Sequence, residues 1–523
     1  MIKSPFVFRQ FAFCLAAVAT LGAQATVPDT VGTGIVTTRG QVTTDGKVLR
    51  YTARAGHIAI RDNEAGDVHG NMFFVSYTLD QAPGARPRPL TFVWNGGPGS
   101  NSGLVHLLGF GPKRITAATG SMPRFSPWGT ALVDNRDTWL AHTDLVFVDP
   151  IGTGYSRPTK PEYASEFYQG RGDAESVAEF IRLFRTRFDA FDAPLYIAGE
   201  SYGVTRASLV ADALERRRTT LSGVILLSGG FPLSDTPPVM RGALSLPTLT
   251  AAAWVNRKLP RDLQTGDLAT ALRAAEAYAE GPYAAALARR DSLSPEERDA
   301  VVAQLARFTG LPATQIDRKT IRVTSDQLSN TLMAPQPVMV GRYDSRMLGP
   351  RDTTPGPYDP TTDPSLKDIL DAVSVVRYMR NVLGFKSDLF YQGPFGGGYP
   401  PPTSFRGDWM SVRWNRGASP PDTARSAVGA GRGAAGNATP NTGQALRNAM
   451  TTNPSLRILV ASGYYDLVSS YHEIEYAAKH LPPDLAKRVT VRSYAGGHAA
   501  YTDDAVRRLM SADVAAFMRA TGK

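Results

Sequence analysis

Ser201 sits within Gly199-Glu200-Ser201-Tyr202-Gly203, directly after the apolar run Leu195-Tyr196-Ile197-Ala198 and before a helix-like stretch from Val204 to Arg217. A strand, a sharp turn carrying a serine and then a helix is the arrangement that raises a nucleophilic hydroxyl above the edge of a sheet. A serine hydroxyl is too weakly acidic to attack a carbonyl unaided, so it needs a base within hydrogen-bond reach and a third group that fixes the base's tautomer. Two later segments can deliver those groups. Arg457-Ile458-Leu459-Val460 runs into Ser462-Gly463-Tyr464-Tyr465-Asp466, and Val489-Thr490-Val491 leads to Tyr494-Ala495-Gly496-Gly497-His498. Each reads as a strand that presents one polar side chain from the loop at its C-terminal end. Taken singly they are an elbow-like turn, a loop aspartate that caps a helix and a loop histidine. Taken together they assign Ser201 as nucleophile, His498 as general base and acid, and Asp466 as the group that orients His498. His472, six residues past Asp466, falls in an apparent helix and reads as a surface or structural histidine, while His57, His69, His106, His142 and His480 lack a comparable setting.

A tetrahedral intermediate on Ser201 also needs donors aimed at its oxyanion. The backbone amide of Tyr202, the residue after the nucleophile, is one. The glycine-rich segment Trp94-Asn95-Gly96-Gly97-Pro98-Gly99-Ser100 follows a short apolar strand, and residues without side chains let backbone N–H groups approach a ligand closely. It is the natural source of the second donor.

The elements that must hold these groups alternate. Segments 37–42, 47–52, 57–60 and 71–77 read as strands, with Asp45-Gly46 as a tight turn between the first two. Residues 89–94, 144–148 and 223–227 are short apolar runs of the buried-strand type, and 180–188 and the stretch after Ser201 are helical by spacing. The order Ser, Asp, His along the chain is that of α/β hydrolases, unlike the chymotrypsin and subtilisin orders. The predicted fold is therefore an α/β-hydrolase fold: a mostly parallel central sheet with a β-rich N-terminal edge and a mainly helical cap insertion. From Pro237 the pattern turns helical, over 263–287, 295–308 and 365–383, with no strand alternation until Leu456. This divides the chain into a first core part at 26–236, a cap insertion at 237–455 and a second core part at 456–523. Within the insertion, residues 417–443 are rich in Gly, Ala, Pro, Ser, Thr and Asn and read as a long mobile loop.

The chain has 523 residues, 42% hydrophobic and 20% charged, ordinary values for a globular protein. Its first 25 residues differ. Lys3 and Arg9 precede a mostly apolar stretch from Phe11 to Gly22 and then Ala23-Gln24-Ala25, the pattern of a secretory signal cleaved after Ala25. The stretch is too short for a membrane anchor. Export, most simply to a periplasm and otherwise by full secretion, is expected, without stable membrane insertion after cleavage. The one cysteine, Cys14, lies in that segment, so the mature chain has no thiol for catalysis or metal binding. The seven histidines show no ligand spacing, so no metal and no cofactor is expected. Loss of Lys3 and Arg9 lowers the formal charge from +10 to +8, and the basic residues are dispersed rather than gathered with aromatics, which argues against nucleic acid as a partner. Oligomeric state is open.

Four segments together resemble the signatures of one family. Asn95-Gly96-Gly97-Pro98-Gly99-Ser100, Asp149-Pro150-Ile151-Gly152-Thr153-Gly154-Tyr155-Ser156, Gly199-Glu200-Ser201-Tyr202-Gly203 and Gly496-Gly497-His498 are similar, in kind and order, to those of the serine carboxypeptidases, the relatives of carboxypeptidase Y. The resemblance implies release of C-terminal amino acids from peptides with a free C-terminus, an oxyanion hole formed by the amides of Gly97 and Tyr202, and a grip on the substrate's α-carboxylate by Asn95, the amide of Gly96, and Glu200. The chain departs from the family at several positions. Gly109 stands fourteen residues past the motif asparagine, where the family has a second glutamate; Val93 and Trp94 replace a tryptophan placed two residues before it; and Ser100 and Ser469 occupy positions of family cysteines. Two carboxyls that share a proton raise one pKa. With Gly109 in the partner's place, Glu200 is expected to ionise earlier and repel a C-terminal carboxylate, altering the pH optimum or relaxing the preference for a free C-terminus. A serine esterase or acyltransferase uses the same triad and is the alternative reading.

Overall fold

The computed structural model describes residues 34–116, 131–351, 362–366, 369, 372–393 and 441–521. The signal segment 1–25 and residues 417–440 of the expected loop lie outside them. The described residues form fourteen strands: β1 (Val36–Thr44), β2 (Lys47–Arg61), β3 (Val68–Leu79), β4 (Leu90–Trp94), β5 (Lys113–Thr116), β6 (Ala131–Asp134), β7 (Asp144–Asp149), β8 (Arg157–Pro158), β9 (Leu195–Glu200), β10 (Gly223–Leu227), β11 (Val338–Val340), β12 (Leu348–Pro350), β13 (Arg457–Gly463) and β14 (Val489–Tyr494). The main sheet runs β1-β2-β3-β7-β4-β9-β10-β13-β14, with β8 paired to β3. β1, β2, β3 and β7 pair antiparallel, and every pairing from β7 through β4, β9, β10 and β13 to β14 is parallel. The α/β-hydrolase fold with a β-rich N-terminal edge is the architecture expected from the sequence.

Local chemistry explains the frame. The β1–β2 turn places Asp45 at φ 47° and Gly46 at φ 73°, the pair of left-handed residues that a two-residue hairpin turn requires. β4, β9 and β10 are buried along their whole length, as sheet strands covered on both faces must be. Alternation then distributes side chains between two cores. Phe73, Val75, Tyr77, Val93 and Phe147 face one, and Met72, Phe74, Phe92, Trp94, Val146 and Val148 the other. The Gly170–Arg187, Tyr202–Arg216 and Thr442–Thr452 helices cover the second core with Phe180, Phe184, Val210, Leu446 and Met450. The C-terminal Asp504–Thr521 helix covers the first with Met510, Val514 and Phe517.

The helices from Leu246 to Thr331 build a third cluster of their own, from Leu246, Leu249, Ala275, Leu305, Phe308 and Leu328, which reaches the loop after β13 through Leu467. Several boundaries differ from the periodicity. The helical stretch expected over 263–287 breaks at Asp267, which caps a new helix by accepting from the Thr270 amide at 2.8 Å, and again at a π-helical turn, Ala279–Tyr283, that contains Pro282. Of the helix expected over 365–383, the described residues form Ala372–Arg377 and a π-helical turn at Tyr378–Val382; residues 364–366 are a turn, in which the Asp363 carboxylate accepts from the Ser365 amide at 2.9 Å. Segments 47–52 and 57–60 are one continuous strand, and the short hairpins β5–β6 and β11–β12 were not anticipated.

Candidate active site

Ser201 lies between β9 and the Tyr202–Arg216 helix with φ 58° and ψ −125°. A non-glycine residue held at positive φ is strained, and it persists here because its surroundings fix it. Its amide donates to the Leu227 carbonyl at 2.9 Å at the end of the neighbouring β10. The flanking glycines are demanded by packing: a Cβ at Gly199 would come within 2.0 Å of the Gly203 carbonyl oxygen, and one at Gly203 within 2.9 Å of Trp94 Cδ1. Strand and helix approach so closely at this turn that only hydrogen side chains fit.

Asp466 and His498 come from loops after the adjacent parallel strands β13 and β14. The Asp466 Oδ2 and His498 Nδ1 are 2.7 Å apart, with both side chains buried. Asp466 Oδ1 accepts from the amides of Val468 at 2.8 Å and Ser469 at 3.1 Å, so the carboxylate cannot rotate freely. Burial disfavours the charged imidazole, but the carboxylates of Asp466 and Glu200 outweigh it and raise the His498 pKa above its ordinary value. With Nδ1 engaged, Nε2 is the nitrogen left for chemistry, and it is buried without a hydrogen-bond partner. The Tyr343 ring stands edge-on to His498 at 5.1 Å between centroids, and the Tyr343 carbonyl accepts from the His498 amide at 2.5 Å.

The glycine-rich loop after β4 closes on the elbow. A Cβ at Gly96 would lie 2.4 Å from the Tyr202 amide nitrogen and 2.5 Å from the Glu200 carbonyl oxygen, which places the backbones of the two loops in direct contact. Gly97 has φ 96°, a conformation glycine adopts at no steric cost. An ion pair buried beneath secures this junction. Arg206 and Asp173 are 0% and 1% exposed; the guanidinium donates to both Asp173 oxygens at 2.8 and 2.9 Å and to the Asn95 carbonyl at 2.8 Å. It also lies over the Tyr202 ring at 5.3 Å. Trp94 Nε1 donates to the Gly203 carbonyl at 3.0 Å, tying β4 to the nucleophile's helix. The Asp149–Ser156 segment adds a second tight loop, where Ser102's amide donates to Asp149 Oδ1 at 2.8 Å and a Cβ at Gly154 would overlap the Asp149 carboxylate.

Glu200 is buried beside the elbow. Its Oε2 accepts from Asn95 Nδ2 and, at 2.7 Å, from the Tyr501 hydroxyl. Burial pushes its pKa up to about 7, a rise that the nearby His498 and the Tyr501 hydroxyl oppose and Asp466 supports. Burial, with Asp466 adding to it, thus holds the carboxyl well above the ordinary carboxylate range in a site that has Gly109 in place of a second acid. Tyr501 is also the residue that the sequence reading missed. Its ring covers Gly109, where a Cβ would lie 3.0 Å from Tyr501 Cδ2, so the space above Gly109 is taken by an aromatic ring whose hydroxyl reaches Glu200. The only signal for it in the sequence is its place three residues after His498.

The comparisons with known proteins reach part of this site: the family match includes Asn95, Glu200 and Ser201 and ends before Asp466 and His498. Residues 44–227 match the family model described as serine carboxypeptidase. The pheromone-processing carboxypeptidase KEX1 of Yarrowia lipolytica is 33% identical over 186 residues, covering 35% of this chain and 27% of that protein. The corresponding carboxypeptidase of Aspergillus terreus is 29% identical over 208 residues, covering 37% and 29%. The chain thus spans less than a third of the length of these curated relatives. Among solved structures, the prohormone-processing carboxypeptidase Kex1 of Saccharomyces cerevisiae aligns with 90% of this chain and 92% of its own, at a TM-score of 0.50 and 15% identity, a likeness of fold.

Proposed function

From a chain related to the serine carboxypeptidases over residues 44–227, we propose a serine carboxypeptidase that releases C-terminal amino acids from peptides through an acyl-enzyme on Ser201. The observation that carries this reading is Glu200: a buried carboxyl, held by Asn95 and Tyr501, next to the nucleophile and protonated to about pH 7. A neutral carboxyl can donate a hydrogen bond to a substrate carboxylate, whereas an ionised one repels it. In this account His498 Nε2 takes the Ser201 proton and returns it to the leaving amine, and Asp466 holds the imidazole in the tautomer that leaves Nε2 free. The amides of Gly97 and Tyr202 receive the oxyanion, and Asn95, the Gly96 amide and Glu200 receive the α-carboxylate. The substrate is a peptide with a free C-terminus, and the reaction needs no cofactor. Incubation of a decapeptide and its C-terminal amide with the enzyme, read by mass spectrometry, tests the reading. Stepwise loss of C-terminal residues from the acid alone is expected; internal cleavage, or equal attack on the amide, would move the activity to an endopeptidase or esterase.

Tyr501 positions Glu200 in this scheme. Tyr501→Phe removes one buried hydrogen bond, worth about 1 to 1.5 kcal/mol, so KM for free-acid peptides rises roughly tenfold while kcat and ester turnover hold nearly constant. The sign of the pH effect follows from the bond. A hydroxyl that donates to Glu200 favours the carboxylate, so its loss raises the Glu200 pKa above about 7 and carries the alkaline fall in peptide binding to higher pH. A KM unchanged in Tyr501→Phe, with the same alkaline limb, would remove Tyr501 from the site.

Export belongs to the same reading and rests on the basic, apolar and Ala-x-Ala pattern of residues 1–25; among the described residues, no helix is long and apolar enough to cross a membrane. N-terminal sequencing of the protein from a periplasmic extract or culture medium should begin at Thr26, and a cytoplasmic product that keeps Met1 would contradict it.

A further inference from the structure

The helix after the Asp466 loop, Tyr471–Lys479, packs against the Leu268–Tyr278 helix of the helical region and the π-helical turn that continues it. His472 and Glu475, three residues apart on the first, face Glu276 and Glu280, four apart on the second. One ligand atom from each of Glu276, His472 and Glu475 falls within 4.8 Å of the others. Polar atoms in a protein interior are nearly always paired, yet the His472 side chain is 1% exposed and neither ring nitrogen makes a hydrogen bond. Nδ1 stands 3.8 Å from Glu276 Oε1, and Nε2 stands 3.0 Å from Glu280 Oε1 but outside hydrogen-bonding geometry. A neutral imidazole has a lone pair to give to a metal ion.

We propose that His472 Nδ1 and the carboxylates of Glu276 and Glu475 form a binding site for a divalent first-row cation, zinc or manganese, that clamps the helical region to the helix following Asp466. One imidazole with carboxylates is the donor set such ions take. Ligands about 2.1 Å from zinc lie roughly 3.4 Å apart at the tetrahedral angle, so the 3.8 Å between Nδ1 and Glu276 needs only a small contraction. Glu280 stands where a metal-bound histidine commonly finds its outer partner, a carboxylate that receives the remaining ring N–H. Hydrogen bonds already orient the two ligating carboxylates: Tyr471 OH donates to Glu276 at 2.8 Å and Ser493 Oγ to Glu475 at 2.6 Å. A cation also relieves the mutual repulsion of these acids. The sequence hides the site because its two halves are about 200 residues apart and neither is a metal motif alone.

The test is titration of EDTA-dialysed full-length protein with ZnCl2 and MnCl2, followed by calorimetry and thermal unfolding. One equivalent is expected to bind, with Tm raised by about 3 °C at a hundredfold excess over Kd. Glu475→Gln and Glu276→Gln, which keep the side-chain shape, should weaken binding by about tenfold or more, and His498→Ala, which removes another buried imidazole that stands beside carboxylates, should leave it unchanged. Binding weaker than about 1 mM, or binding lost in His498→Ala and kept in both glutamine variants, would overturn the site.

Discussion

Ser201→Ala is expected to lower kcat toward peptides by about 10⁴ to 10⁶-fold, the range seen when a triad nucleophile is removed. The substitution deletes one oxygen and nothing else that the fold uses. The backbone strain at φ 58° belongs to the turn and is met by the Ser201 amide bond to Leu227 and by the close contacts of Gly199 and Gly203. Alanine occupies that conformation as serine does, so Tm and circular dichroism should match the parent protein. The residual rate should come from the two backbone donors and from substrate binding. Steady-state kinetics on a purified variant, with fluorophosphonate labelling to detect contaminating hydrolase, checks this. A variant within tenfold of the parent rate would place the nucleophile elsewhere.

Asp466→Asn should cost about 10⁴-fold in kcat for a different reason, the tautomer of His498. Asp466 Oδ1 is fixed by the amides of Val468 and Ser469 at 2.8 and 3.1 Å. An asparagine that keeps its oxygen on those two donors must turn its NH2 toward His498 Nδ1. That nitrogen then accepts, the ring proton moves to Nε2, and the imidazole can no longer take the Ser201 proton. The loss should appear in kcat with little change in KM, and nitrogen-15 spectra of the His498 ring should report the exchanged tautomer. Unchanged spectra with full activity would mean that Asp466 does not set the tautomer of His498.

The sequence made the frame and the triad candidates legible where local chemistry and function coincide. The Ser201 turn is readable because strand, glycines and helix must follow one another in the chain, and the parallel core because β4, β9 and β10 are continuous apolar runs. What joins distant residues was not readable. The Arg206–Asp173 pair lies between two helices, each residue passing for an ordinary surface charge on its own helix, and only packing shows that both are buried and bound to the Asn95 carbonyl. The surroundings of Gly109 were unreadable for the same reason. Its meaning depends on Tyr501, which lies about 400 residues away and fills the space that a side chain at 109 would need. Periodicity also failed where side-chain caps interrupt it, as at Asp267 and Asp363, since a capped turn and a continuous helix share the same apolar spacing.

The central claim is that the site selects a free C-terminal carboxylate. Its most direct test is kcat/KM for a blocked dipeptide acid and for the matching amide, from pH 5 to 9, with Ser201→Ala as control. The account predicts strong preference for the acid at low pH, falling as Glu200 ionises around pH 7, and turnover of the acid cut by about 10⁴-fold or more in the variant. Equal turnover of acid and amide across that range, abolished by Ser201→Ala, would show a serine hydrolase without a carboxylate grip and would contradict the claim.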